Sequence, residues 1–147
     1  MKNRKNLFLV GLIIFGFCTV SQAENLHYYQ QVEAGKLKLI DCDVVAYGGT
    51  PASFTATIQA ARMGKRAILV SNNDFVGGLT SGGLTAVDWG ARRTIGGIAQ
   101  EFFARARPLK PTMAERTFLE MLSEAGVEVL LGRFLTAVEM REGKLVS

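Results

Sequence analysis

An α/β fold, a parallel sheet with flanking helices, is predicted by three observations. Between Ile40 and Ser71 an apolar run, a glycine turn, a helical stripe and a second apolar run follow one another. The stripe opens at a proline and closes at a glycine, the usual punctuation of a helix. A further helix-then-strand pattern ends at Leu131, as a second crossover of a parallel sheet requires.

The elements follow in chain order. Val44, Val45, Ala46 and Tyr47 form a short apolar run stopped by Gly48 and Gly49. Such a run reads as a central strand covered on both faces. Pro51 occupies a first helical turn, where a missing N–H costs nothing, and Phe54, Ile58 and Ala61 recur on one face. Gly64 serves as a left-handed cap, and Lys65 to Ser71 supplies a second strand with Ile68, Leu69 and Val70 buried. The three elements make a right-handed βαβ unit, with a helix N-terminus offering free N–H groups at the strand's carboxyl end.

Asn72 to Gly90 is a glycine-rich loop in which Gly77-Gly78 and Gly82-Gly83 flank Leu79-Thr80-Ser81. Glycine removes the Cβ that keeps backbone away from a ligand, and Leu79, Leu84, Val87 and Trp89 are too apolar for a solvated linker. A second helix is expected over about Gly97 to Arg107, with Ile98, Phe102, Phe103 and Ala106 in a core stripe ended by Pro108. Thr112-Met113-Ala114-Glu115 reads as a capping box opening a third helix that carries Phe118, Met121, Leu122 and Ala125 and closes at Gly126. Val127 to Leu131 is then a strand. Phe134 to Met140 and Leu145 to Ser147 read as a hairpin.

The N-terminus is organised differently. Lys2, Arg4 and Lys5 precede 14 apolar-rich residues, Leu7 to Val20, and a Ser21-Gln22-Ala23 cleavage pattern. This is the layout of a signal peptide, too short to span a bilayer, so residues 1–23 predict export to the periplasm or outside the cell, with no stable membrane anchor after cleavage. Phe17 before Cys18 argues against lipidation. Removing three of the 17 basic and none of the 13 acidic side chains lowers the net charge from +4 to +1. Nothing in the remainder resembles a nucleic-acid footprint. Cys42 is then the only cysteine, which excludes an internal disulfide, and a buried inert thiol is expected there. Residues 24–38 read as a linker or leading arm; His27, the only histidine, lies in it and is assigned no role.

The turn after the first strand fits the G-x-G-x-x-G spacing of dinucleotide-binding folds only at its first glycine, Gly48; Thr50 and Ser53 stand at the other two positions. Its context of strand, turn, helix and strand favours a phosphate site. The runs DVVAYGGTPASFTATIQAARMGKRAILVS, FVGGLTSGGLTAVDWG, IGGIAQEFFARA and AERTFLEMLSEAGVEVLLG resemble the N-terminal part of exported bacterial FAD-dependent oxidoreductases, over nearly all of Asp43 to Ser147. That resemblance implies a Rossmann-like FAD/NAD(P)-binding fold of the two-dinucleotide-binding type, with residues 39–147 as the N-terminal portion of an FAD domain incomplete at its C-terminus. It also implies FAD as cofactor and a small-molecule substrate whose identity the sequence does not reveal. Gly48, Gly49, Thr50, Pro51 and Ala52 would cradle the pyrophosphate, Gly77, Gly78, Thr80, Ser81, Gly82 and Gly83 would line the loop, and Leu135 would offer backbone to adenine. The family commonly has G-G-T-P-A-G at the turn, so Ser53 departs from it. Where the family ends its second strand with Glu or Asp for the ribose hydroxyls, this chain has Ser71, an uncharged and weaker acceptor.

No side chain stands out as acid, base or nucleophile. Asp88, Trp89, Arg92 and Arg93 end the glycine loop and could meet an anionic substrate; the alternative is a turn residue and a solvated pair. The leading expectation is the N-terminal piece of an FAD-dependent oxidoreductase, inactive by itself. An NAD-binding Rossmann dehydrogenase and a non-catalytic exported remnant are the alternatives.

Overall fold

The structure is a computed structural model, and it describes residues 39–84, 86–88 and 90–146. The leader at 1–23, the arm with His27, Thr85, Trp89 and Ser147 lie outside the described residues.

Strand β1 spans Val44–Tyr47, helix α1 Pro51–Arg62 and strand β2 Ala67–Val70. Helices α2, Gly97–Arg105, and α3, Pro111–Glu124, then lead to β3 at Glu128–Leu130, and a small hairpin pairs β4, Met140–Arg141, with β5, Lys144–Leu145. The main sheet is parallel with order β1-β2-β3, in register Val44 to Ala67 and Ile68 to Glu128. Pairing continues past the strand ends, where the Gly48 N–H donates to the Val70 carbonyl at 2.7 Å and the Ser71 N–H to that of Leu130 at 2.8 Å. The order follows from the crossovers, since a parallel neighbour cannot be reached by a tight turn and α1 and α3 fill the return paths.

Side chains alternate across the sheet. Val44, Leu69 and Val129 face a core built from Phe54 and Ile58 of α1, Phe102 of α2, and Phe118, Met121 and Leu122 of α3. Three phenylalanines bind the helices together. Phe102 stacks on Phe118 with centroids 4.0 Å apart and planes at 16°, and Phe54 meets Phe118 edge-on at 4.7 Å. Thr57 and Thr117 are buried in this apolar setting because their hydroxyls donate back to the Ser53 and Met113 carbonyls, each at 2.9 Å.

Three expectations need correction. Among the described residues β1 lies at an edge of the sheet, with β2 in the middle, rather than centrally and covered on both faces, and Val45 and Tyr47 are 44% and 45% exposed. The capping box is absent too, because Pro111 takes the first helical position, Lys110 becomes the cap residue and Thr112 falls inside α3. Cys42 is a half-buried free thiol just before β1 rather than a core residue.

Candidate functional site

The site is built where β1 and β2 end. After Tyr47 the chain turns through Gly48 at φ +113°, a left-handed value that other residues rarely adopt, and enters α1 at Thr50. The Thr50 side chain accepts from the Ser53 N–H at 3.3 Å and so caps the helix, while Pro51 occupies the first turn. The first amides of a helix have no intrahelical acceptor, and the helix dipole is positive there. The Ala52 amide belongs to this turn.

The glycine loop closes over that helix end. The Gly49 carbonyl accepts from two amides at once, Gly77 N–H at 2.7 Å and Gly78 N–H at 3.0 Å. The loop then forms a short 3₁₀ turn at Gly78–Thr80, held by the Ser81 hydroxyl donating to the Val76 carbonyl. Between turn and loop lies a cleft of about 560 Å³ lined by Thr50, Pro51, Asn73, Phe75, Gly78, Leu79, Thr80 and Gly82. None of these side chains is ionisable. A Cβ on Gly78 would stand 3.4 Å from Pro51 Cδ, so a side chain at 78 would fill the space in front of the helix end. A cradle of bare backbone at a helix N-terminus, in a neutral pocket of ordinary ligand size, fits the phosphates of a dinucleotide such as FAD.

The sequence-derived positions fall into two groups. Thr50, Pro51, Gly78, Thr80 and Gly82 line the cleft directly. Gly48 and Ala52 sit at the turn and the helix start, and Gly83 is exposed at the far end of the loop. The remaining positions support the cleft or lie away from it. Gly49 is buried, with its carbonyl tying turn to loop. Gly77 is buried because a Cβ there would run into the Phe118 ring, so its glycine serves packing. Ser81 closes its own loop. Leu135 is exposed, and its N–H donates to Tyr47 Oη at 3.1 Å, which commits that amide to β1.

Ser71 is fully buried. Its Oγ accepts from the Asn73 N–H at 3.1 Å and packs against Gly49, so the hydroxyl belongs to the turn and not to the wall of the cleft. The residues that sequence reading did not place at the cleft are Asn73, Phe75 and Leu79. A polar turn directly after a strand, followed by an aromatic residue, was the available signal. Asp88 is exposed, and Arg92 and Arg93 form an exposed 3₁₀ turn with Thr94. Among the described residues no group of three or more His, Cys, Asp or Glu is placed to hold a metal ion.

Comparison with solved structures finds similarity to the crystal structure of Thermovibrio ammonificans THI4, at 23% identity and a TM-score of 0.49. The match covers 71% of this chain and 44% of that one, so the chain spans less than half of that protein's length. No curated protein matches. The family model for FAD dependent oxidoreductase matches residues 43–147, the whole stretch from β1 through the hairpin, and the chain belongs to that family.

Proposed function

We propose that this chain holds the pyrophosphate of FAD in the cleft between the start of α1 and the glycine loop, as the nucleotide-binding portion of an FAD-dependent oxidoreductase. The observation that carries this reading is the cradle itself: Thr50 and Pro51 at a helix N-terminus, faced by Gly78 and Gly82 without side chains. Bound FAD supplies the redox chemistry, and the protein supplies binding and orientation. Here Gly48 admits the turn, Thr50 fixes the helix end, the Gly49 carbonyl positions the loop, and Phe75 and Leu79 add apolar lining to the cleft. The remainder of a flavin site and a small-molecule substrate pocket belong to this proposal as parts of the longer family architecture, and residues 1–23 support delivery outside the cytoplasm.

Titration of the purified chain with FAD, followed by quenching of flavin fluorescence, tests the reading, with riboflavin and NAD⁺ as comparison ligands. Saturable binding of FAD with riboflavin much weaker is the expected result, since the contacts fall on the phosphates. Equal binding of riboflavin, or none of FAD, overturns it.

A further inference from the structure

We propose that the outer edge of β4 is a self-association surface, on which a second copy of this chain pairs antiparallel about a two-fold axis at Met140. Among the described residues β4 and β5 pair only with each other, so each has one open edge. The hydrogen-bond phase of the hairpin decides what the β4 edge offers. The Val146 N–H donates to the Glu139 carbonyl at 2.9 Å, which makes Glu139 and Val146 a bonded pair. Bonded and non-bonded pairs alternate in an antiparallel ladder, so Met140 and Leu145, which stand opposite each other, form a non-bonded pair. The N–H and C=O of Met140 therefore point away from β5. One residue presenting both groups outward is a template for a further strand.

The side chains choose the partner. Charge on an open edge normally repels a second copy, but on β4 the sign alternates, and the Glu139 carboxylate meets the Arg141 guanidinium at 2.8 Å on one face. Arg141 also stands directly across the hairpin from Lys144, an unfavourable like-charge pair. A second β4 centred on Met140 sets Glu139 of each copy opposite Arg141 of the other, twice, and so brings a further carboxylate to the two cations. On the opposite face Met140 and Leu145, both exposed, extend into an apolar row of four, Leu145 and Met140 of one copy followed by Met140 and Leu145 of the second. The register is selected by the same charges. An axis at Glu139 or at Arg141 places like charges face to face, and an axis at Val138 leaves Glu139 opposite Ala137 and Arg141 opposite Leu135. The outer edge of β5 has only Lys144 to offer and no acidic complement. An isologous pairing of this kind closes at two copies.

Sedimentation equilibrium of the full chain, in a concentration series reaching about 1 mM because the contact is small, is expected to show a monomer–dimer equilibrium. Glu139→Lys and Arg141→Glu each make both cross-copy pairs repulsive, and each should weaken dimerisation by about tenfold or more. Mixed in equal amounts, the two variants are complementary: the introduced lysine faces the introduced glutamate, and the retained Arg141 and Glu139 still meet. The mixture should therefore dimerise about as the parent does. That rescue separates pairing between copies from damage within one hairpin, since each variant alone also loses its own contact between residues 139 and 141. Met140→Pro removes the outward N–H and leaves the hairpin's own bonds in place, so it too should dissociate the dimer. Circular dichroism melts confirm folding, and Met140→Pro carries the test if a charge variant unfolds. A parent that stays monomeric throughout, growth beyond two copies, a dimer indifferent to the substitutions, or folded charge variants that fail to pair when mixed overturns the assignment.

Discussion

A β-carbon on Gly49 would lie 2.6 Å from Ser71 Oγ and 2.8 Å from the Phe75 carbonyl oxygen, so the first glycine turn and the end of β2 touch with no room between them. Gly49→Ala should therefore destabilise the fold by about 1–3 kcal/mol, the usual cost of overpacking. Urea denaturation measures it. Adding Ser71→Gly should recover part of the loss and no more, because the second obstacle is backbone.

Phe118 joins the three helices, and its loss is expected to be severe. Phe118→Ala removes the stack on Phe102 and the edge contact with Phe54, at a cost of about 3–5 kcal/mol. That is a large share of the stability of a small domain, and the denaturation midpoint should fall accordingly. Gly77→Ala attacks the same ring from the loop side, compounded by a backbone at φ +114°. A variant carrying Gly77→Ala with Phe118→Leu should be more stable than Gly77→Ala alone.

Arg62 at the end of α1 forms a paired contact with Glu101 of α2, Nη1 to Oε1 at 2.8 Å and Nη2 to Oε2 at 2.7 Å. The hydrogen bond from Arg62 holds the Glu101 carboxyl below its ordinary value, and the same bond raises the Arg62 guanidinium. A depressed carboxyl stabilises fully above the pKa of the unfolded chain and loses that contribution as pH falls through the folded value. The raised arginine stabilises throughout the neutral range and loses its share only in strong alkali. Both side chains are about two-fifths exposed, so the effect is small and sensitive to salt. Melts of the parent and Glu101→Gln should differ at neutral pH, converge as the pH falls through the depressed carboxyl value, and converge also in about 1 M salt.

Tyr47→Phe removes the acceptor of the Leu135 N–H. Hydrogen exchange at Leu135 should accelerate, whereas global stability should change by no more than about 1 kcal/mol because the contact is exposed. Unchanged exchange would show that the bond does not hold the segment after β3 to β1.

The proposal that residues 1–23 direct export makes its own prediction. Expressed with its native N-terminus in a Gram-negative host, the protein should be recovered from the periplasm beginning at Glu24. N-terminal sequencing decides the matter, and an intact Met1 on envelope-associated protein contradicts cleavage.

The parts legible in sequence were those governed by local chemistry. Pro51 and Gly64 bracket α1 as expected, with Gly64 at φ +79° just past the helix, and Gly126 follows α3 at φ +71°. The apolar spacing of Phe54 and Ile58 identified the buried face. What sequence concealed depended on partners distant in the chain. Val45 and Tyr47 look like core residues until the pairing partners of β1 are known, and a glycine required by a ring, such as Gly77, is indistinguishable from one required by a ligand. Ser71 and Asn73 are both short and polar, and only the close approach of Gly49 decides which of them is sealed and which borders the cleft. Pro111 and Thr112 compete to start α3, and the proline prevails because its fixed φ already suits the first helical position.

The Gly49 carbonyl, shared by the amides of Gly77 and Gly78, has a kinetic consequence. Because one oxygen anchors the start of the loop to the turn, the entropy of ordering that start is surrendered when the chain folds, and FAD bound as proposed would meet that wall already in place. Under the proposed FAD reading, association would be governed by encounter rather than by a closing motion, and variants of the cleft should differ chiefly in how long FAD stays.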